Sequence, residues 1–219
     1  MDIGIIGSGI VGQTLGAALA GRGHAVVVGT RDAGKLREWA GKTGGQAQVG
    51  SFADAAAHGE IVMNATSGRG SLDALRMAGA SALRDKVLID IANPLDFARG
   101  FPPSLFVSNT ESLGEQIQAA FPDTRVVKTL NTVSVVVMVD PAKVGGGDHH
   151  LFVCGNDAAA KSKVTGLLKS WFGWKHVVDL GDITTSRGTE MYLPLWVRLY
   201  GTMKTPAFNI RIVTAEPSS

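Results

Sequence analysis

Short apolar runs alternate with helical patterns from Asp2 to Leu180, and that alternation restricts the fold of this chain more than any other feature. Asp2–Ile6, Ala25–Gly29, Ala47–Val49, Ile61–Ala65, Val87–Ile91, Arg125–Thr129, His150–Cys154 and His176–Leu180 read as strands. Between them, Ile10–Gly21, Ala33–Lys42, a short turn of helix carrying Ala55–Ala57, Ser71–Ala82, Ser112–Phe121 and Asp157–Trp171 read as helices. Asp32 and Ser51 are placed to cap two of these, and Ser112 with Glu115 has capping-box spacing. Consecutive valines at Val26–Val28 suit a strand buried on both faces. Strand alternating with helix implies a parallel sheet covered on both sides, and right-handed crossovers make the doubly wound order the economical one. Glycine contributes 28 of the 219 residues, about 13% against a usual 7%, in keeping with many tight turns.

Five stretches break the rhythm. Asn93–Pro103, with three prolines, reads as a long loop, and the β-branched Ser134–Val139 suits helix and strand equally. Gly145–Gly147 reads as a flexible loop. Ile183 to about Tyr200 is helical in pattern with Pro194 inside it, and Thr205–Val213 reads as an extended tail. The expected organisation is a dinucleotide-binding unit over 1–181 and a small helical appendage over 182–219 that folds back on the sheet.

The segment Gly7-Ser8-Gly9-Ile10-Val11-Gly12 has the form Gly-x-Gly-x-x-Gly, after a strand and before a helix. Gly7 would permit the tight turn, Gly9 the close approach of backbone to a pyrophosphate, and Gly12 the packing of helix on strand. The helix N-terminus would then offer free N–H groups and partial positive charge to the phosphates. Glycines that only shape a turn are the alternative. An NAD site usually has Asp or Glu at the tip of the second strand, but here that strand ends Gly29-Thr30-Arg31, with Lys35 one helical turn on. A hydroxyl and two cations suit a 2′-phosphate, so NADP(H) is expected over NAD.

Ligands of open α/β sheets lie beyond the C-terminal strand ends. Ala65, Thr66 and Ser67, then Asn93 and Pro94, then Asn131 and Thr132 stand there, small and polar, and the two asparagines offer amides to a nicotinamide carboxamide or a substrate. Turn-making is the alternative for both. No nucleophile–base pair stands out. His24, Cys154, Trp171 and Trp174 read as packing residues, and no acidic or cysteine cluster joins His149 and His150 at metal-ligand spacing, so no metal is expected. Arg187 and Glu190, in the run Ser186–Glu190, are polar residues of unassigned role.

Lys and Arg total 21 and Asp and Glu 19, a formal net charge of +2 with no basic run, which gives no reason to expect a nucleic-acid partner. One cysteine cannot form an intrachain disulfide. The start MDIGIIGSG lacks a basic n-region, and the longest apolar stretch, around Val133–Val139, falls well short of the ~20 residues of a membrane span. The expectation is a soluble cytoplasmic protein. Phe97, Phe101, Leu105 and Phe106, with the apolar appendage, suggest a homodimer.

In order along the chain, GIIGSGIVGQ, VVVGTRDAGK, LIDIANPLD, VVKTLNTV, LFVCGND and LGDITTSRGTE resemble the deazaflavin (coenzyme F(420))-dependent NADP reductases, and are similar also to the reductase domain of the STEAP metalloreductases. The resemblance runs from Ile3 to about Val213 and implies a Rossmann-like α/β fold. It implies that Gly7 to Gly12 hold the pyrophosphate, that Thr30, Arg31 and Lys35 hold the 2′-phosphate, and that Ala65 to Ser67, Asn93, Pro94, Asn131 and Thr132 line the nicotinamide. Hydride would pass directly to a stacked deazaflavin or flavin, so no acid–base dyad is needed. Asn93–Pro103 and Asn131 depart from the archaeal pattern of a more apolar loop and a His. Two other readings compete: an NADPH-dependent reductase of a small carbonyl, imine or quinone, and a non-catalytic NADPH-sensing protein.

Overall fold

A computed structural model describes residues 1–215. The chain runs β1 (Asp2–Ile6), α1 (Ile10–Ala20), β2 (Ala25–Gly29), α2 (Arg37–Gly41), β3 (Ala47–Gly50), α3 (Phe52–His58) and β4 (Ile61–Asn64). It continues through α4 (Gly68–Ala78), α5 (Ala80–Leu83), β5 (Val87–Asp90), β6 (Leu95–Asp96), β7 (Ser104–Leu105), α6 (Leu113–Ala120) and β8 (Arg125–Thr129). It ends with α7 (Val135–Val139), β9 (His150–Cys154), α8 (Ala158–Phe172), β10 (His176–Asp179), α9 (Ser186–Met191) and α10 (Leu193–Met203).

Eight strands form one sheet in the order β10-β9-β8-β5-β4-β1-β2-β3. The six strands from β3 to β8 are parallel, and the order reverses beside β1, where β4 pairs on one side and β2 on the other. This is the doubly wound Rossmann-like arrangement, with a crevice at the switch point. Side chains alternate between two cores. Ile3 and Ile5 join Leu15, Val28 and Trp171 on one face, while Ile6, Val62 and Leu88 join Leu75 and Ile117 on the other.

The parallel expectation fails at one edge. β9 pairs antiparallel with β8, and β10 is parallel to β9. The five residues of α7 rise only about 7.5 Å, against roughly 16 Å for a five-residue strand. That helix cannot carry the chain back to the N-terminal edge for another parallel strand.

The helical segments also divide more finely than the sequence pattern suggests. Residues Ala33–Leu36 form a 3-10 turn capped by Asp32, so α2 starts only at Arg37. The helix expected over Ser71–Ala82 starts earlier and breaks at Gly79, whose φ of +94° ends α4 before α5 begins. Ser134–Val139 resolves as helix α7, Gly145–Gly147 as a 3-10 turn, and the loop Asn93–Pro103 carries half of the small β6–β7 hairpin. Pro194 is not interior to a helix. It lies in the first turn of α10, where a missing N–H costs nothing, and α9 ends before it. From Lys204 to Ala215 the chain takes no regular element, but Phe208 is buried and His150 N–H bonds to Ile210 O, so this stretch packs on the sheet edge. No helix among the described residues is long and apolar enough to cross a membrane.

Candidate functional site

The turn from β1 to α1 gives its three glycines three separate reasons. Gly7 has φ +118°, and a Cβ there would stand 2.6 Å from Ala65 O. A Cβ on Gly12 would collide with Gly7 O. A Cβ on Gly9 would meet nothing within 4 Å, so Gly9 is small toward open space, on the side from which a ligand would approach. Gly9 is also the N-cap of α1 with no side-chain cap and no acid in the first turn. The first N–H groups of the helix are thus left to an anion.

Beside this turn lies a cavity of about 310 Å³ lined by Gly7, Ser8, Gly9, Thr30, Arg31, Asp32 and Lys35, with Ala65 to Ser67 at its far side. The tip of β2 is held by side-chain hydrogen bonds. Thr30 Oγ1 bonds to Ser8 Oγ at 3.0 Å and takes the Asp32 N–H at 3.2 Å. Asp32 is occupied as a cap, accepting Gly34 N–H at 3.0 Å, with Lys35 Nζ 3.8 Å away. Arg31 enters no ion pair among the described residues, so its guanidinium is open to the cavity.

Ala65, Thr66 and Ser67 also floor a second cavity of about 750 Å³. The two cavities therefore meet at the end of β4, over the switch point. The second is walled by Ile10 and Val11 of α1, Ile91 to Asn93 beyond β5, Leu95 and Phe97 of the hairpin, Val133 to Val135 and Met138 around α7, and Leu193 and Trp196 of α10. Trp196 stands in an aromatic stack between Tyr200, at 5.7 Å, and Phe208, at 5.2 Å. Its Nε1 and the Ser134 Oγ are buried without a partner. Neither Ser134 nor Trp196 was legible as a site residue, because each reaches the cavity only through packing by a distant segment.

The two asparagines do come together, but on each other. Asn93 Nδ2 donates to Asn131 O at 2.8 Å, and Asn131 Nδ2 to Asn93 Oδ1 at 3.0 Å. Pro94 is buried just behind them. Thr132 is separated from the rest. It lines a different cavity, of about 230 Å³, with Tyr192 and Ile210.

The rim of the larger cavity carries Arg69 and Asp96, paired at 2.6 Å. The Ala98 N–H and the Arg69 guanidinium hold Asp96 below the ordinary carboxylate range. No His, Lys, Tyr or Cys lines this cavity among the described residues. Cys154 is buried, and desolvation pushes its thiol up to about 11. His149 is fixed between Pro141 O and Asn209, and no group of three or more metal-ligating side chains occurs among the described residues. Arg187 pairs with Glu115 of α6, and Glu190 is only 1% exposed.

Known proteins resemble this chain in sequence and fold. The sequence profile described as NADP oxidoreductase, coenzyme F(420)-dependent, matches residues 2–94. A crystal structure from an Arthrobacter species, named as a candidate F(420)-dependent NADP reductase, is 52% identical, with 98% of this chain and 100% of that one covered at a TM-score of 0.94. Metalloreductase STEAP3 of Rattus norvegicus is 29% identical over 206 residues, and the chain spans 38% of its length. An imine reductase of Myxococcus stipitatus in complex with NADP+ shares the fold at 18% identity and a TM-score of 0.62, covering 91% of this chain and 63% of that one.

Proposed function

The chain belongs to the family of coenzyme F(420)-dependent NADP oxidoreductases and is an NADP-dependent oxidoreductase; we propose that it transfers a hydride between the nicotinamide of NADP(H) and a stacked deazaflavin or flavin. In this reading the pyrophosphate lies on Gly7 to Gly12, and the 2′-phosphate against Thr30, Arg31 and Lys35. The nicotinamide half crosses Ala65 to Ser67 into the larger cavity. Residues 1–181 form the dinucleotide-binding unit, and residues from 182 onward complete the acceptor cleft by supplying Leu193 and Trp196.

The observation that carries the acceptor class is the chemistry of the larger cavity. A carbonyl or imine takes a proton as it takes the hydride, and an enzyme supplies that proton from a positioned acid. Among the described residues the single carboxylate of the lining is Asp96, spent on Arg69 and Ala98. An apolar slot with an aromatic wall suits two flat ring systems held face to face, where orientation does most of the work and the cofactors supply the redox chemistry. A sensor would have no use for so large a cavity beside the nicotinamide. A homodimer, with Phe97, Phe101 and Leu195 exposed, is proposed as the assembly.

The test is spectroscopic. Protein is mixed with NADPH and, in parallel reactions, with oxidised deazaflavin coenzyme, FMN or FAD, and both chromophores are followed. Deazaflavin or flavin bleaching matched to NADPH loss is the expected result. Turnover confined to carbonyl or imine compounds would overturn the acceptor assignment.

A further inference from the structure

Lys128, in the middle of the sheet on β8, has no solvent exposure at its side chain. Its ammonium spends all three protons: on Asp90 Oδ2 at 2.8 Å, on Glu190 Oε1 at 2.8 Å, and on the Ala92 carbonyl. Burial alone would push the lysine down, but the two carboxylates hold it above the ordinary value, so it is charged. Glu190 also accepts the first N–H groups of α6, from Leu113 at 2.8 Å and Gly114 at 3.0 Å. These residues are 38 and 62 positions from Lys128 in sequence, and no local motif announces them.

The consequence reaches the cleft through hydrogen-bond polarity. Both Asp90 oxygens accept, Oδ2 from the Lys128 ammonium and Oδ1 from a backbone N–H. Its Oδ1 takes Asn64 Nδ2 at 2.8 Å and Ala92 N–H at 3.2 Å. With Nδ2 turned to Asp90 and to Ser71, Asn64 presents Oδ1 to Thr66, which gives it the hydroxyl proton at 2.7 Å and its N–H at 3.3 Å. A hydroxyl has one proton. Once it is given to Asn64, Thr66 Oγ1 can only accept, and Ser71 Oγ at 2.7 Å fills one of its two acceptor positions. Thr66 lines both cavities at their meeting point.

We propose that Lys128 and Asp90 are positioning residues that, through Asn64, hold the Thr66 hydroxyl as an obligate hydrogen-bond acceptor, so that this point of the cleft takes an N–H or O–H of the dinucleotide, from the nicotinamide carboxamide or the adjoining ribose. The proposal rests on the reading of the cleft as the NADP(H) site. The residue that touches the ligand is Thr66. The buried charges decide only which partner it accepts.

NADPH affinity is measured by fluorescence titration for the wild type, Thr66→Val, Thr66→Ser, Asp90→Asn and the double variant Thr66→Val/Asp90→Asn, with thermal unfolding of each. Loss of one neutral hydrogen bond predicts NADPH binding weaker by about threefold to tenfold in Thr66→Val, with Thr66→Ser near the wild type. Asp90→Asn, which lets Asn64 turn over, is expected to weaken binding similarly and to add nothing in the double variant. The 3-acetylpyridine analogue of NADPH, which lacks the carboxamide N–H, then locates the donor. Loss of the Thr66→Val effect with that analogue means the carboxamide, and its persistence means the ribose. Wild-type affinity in Thr66→Val, or a further loss on adding Asp90→Asn to it, would overturn the proposal. If Asp90→Asn does not fold, the two Thr66 variants decide. A wild type that binds no NADPH would instead remove the reading of the cleft itself.

Discussion

Asn93 and Asn131, at the ends of β5 and β8, are bonded to each other by two hydrogen bonds of 2.8 and 3.0 Å. The pair stands in the wall of the larger cavity, and Asn131 is 3% exposed. Each asparagine is therefore a support for the other before it is a contact for any ligand. Removing one leaves the other's amide underpaired in a nearly dry site, at roughly 1–3 kcal/mol. Asn93→Ala and Asn131→Ala are each expected to lower stability by that amount, and the double variant by less than their sum. Urea unfolding of the three variants measures this, and additive losses would show that the pair is not coupled.

The proposed preference for a phosphorylated dinucleotide rests on the charges at the tip of β2. Arg31 opens on the smaller cavity, and Lys35 is 79% exposed at its side chain, so solvent weakens its share. A hydrogen bond to a charged group is worth about 1.5–3 kcal/mol, and the lower figure fits this exposed site. Arg31→Ala with Lys35→Ala is expected to weaken NADPH binding by about 10- to 100-fold and to leave NADH binding nearly unchanged. Titration of the variant with both nucleotides checks it, and equal losses would move the 2′-phosphate elsewhere.

The glycine loop was legible in the sequence because its demands are local: a positive φ at Gly7, a close neighbour at Gly12, and open space at Gly9, all within one turn. The strands were legible because residues buried on both faces leave β-branched runs such as Val26–Val28. The direction of β9 was not, because the same alternation of His150–Cys154 serves a strand running either way. Nor was the break at Gly79, since an isolated glycine in a helical pattern reads as tolerated until its φ is known. Nothing in VVKTL singles out Lys128. Only the fold brings Asp90 and Glu190 to it and puts it among the largest fully buried side chains. Nor does the sequence show that Asn131 and Thr132, adjacent in the chain, line different cavities.

Gly9 and Gly12 separate binding from folding. A side chain on Gly9 meets open space, whereas one on Gly12 strikes the Gly7 carbonyl. Gly9→Val is expected to unfold near the wild-type temperature and to lose dinucleotide binding. Gly12→Val is expected to unfold at a lower temperature whether or not nucleotide is present. Paired melting curves with and without NADPH compare the two, and normal NADPH affinity in Gly9→Val would refute the role of the loop.

The contact between α6 and the C-terminal segment has a pH signature. Arg187 donates to both carboxylate oxygens of Glu115, one at 2.8 Å through Nε, and Ser112 Oγ adds a third bond at 2.7 Å. The arginine, against the opposing cost of burial, holds the Glu115 carboxyl below its ordinary value of 4.5. A folded-state value lower than the unfolded one means that unfolding takes up a proton in acid, so the contribution is full above the ordinary carboxylate range and fades as pH falls through it and below. Arg187→Ala should therefore be less stable than the wild type at pH 7, with the gap closing between about pH 5 and pH 3. Urea unfolding of both proteins across that range reads out chiefly the Glu115 pair, because Arg187 is the largest cause of the Glu115 depression and only the last-named cause of that of Asp182. A gap that persists undiminished at pH 3 would mean that packing of the Arg187 stem, and not its charge, ties the C-terminal segment to α6.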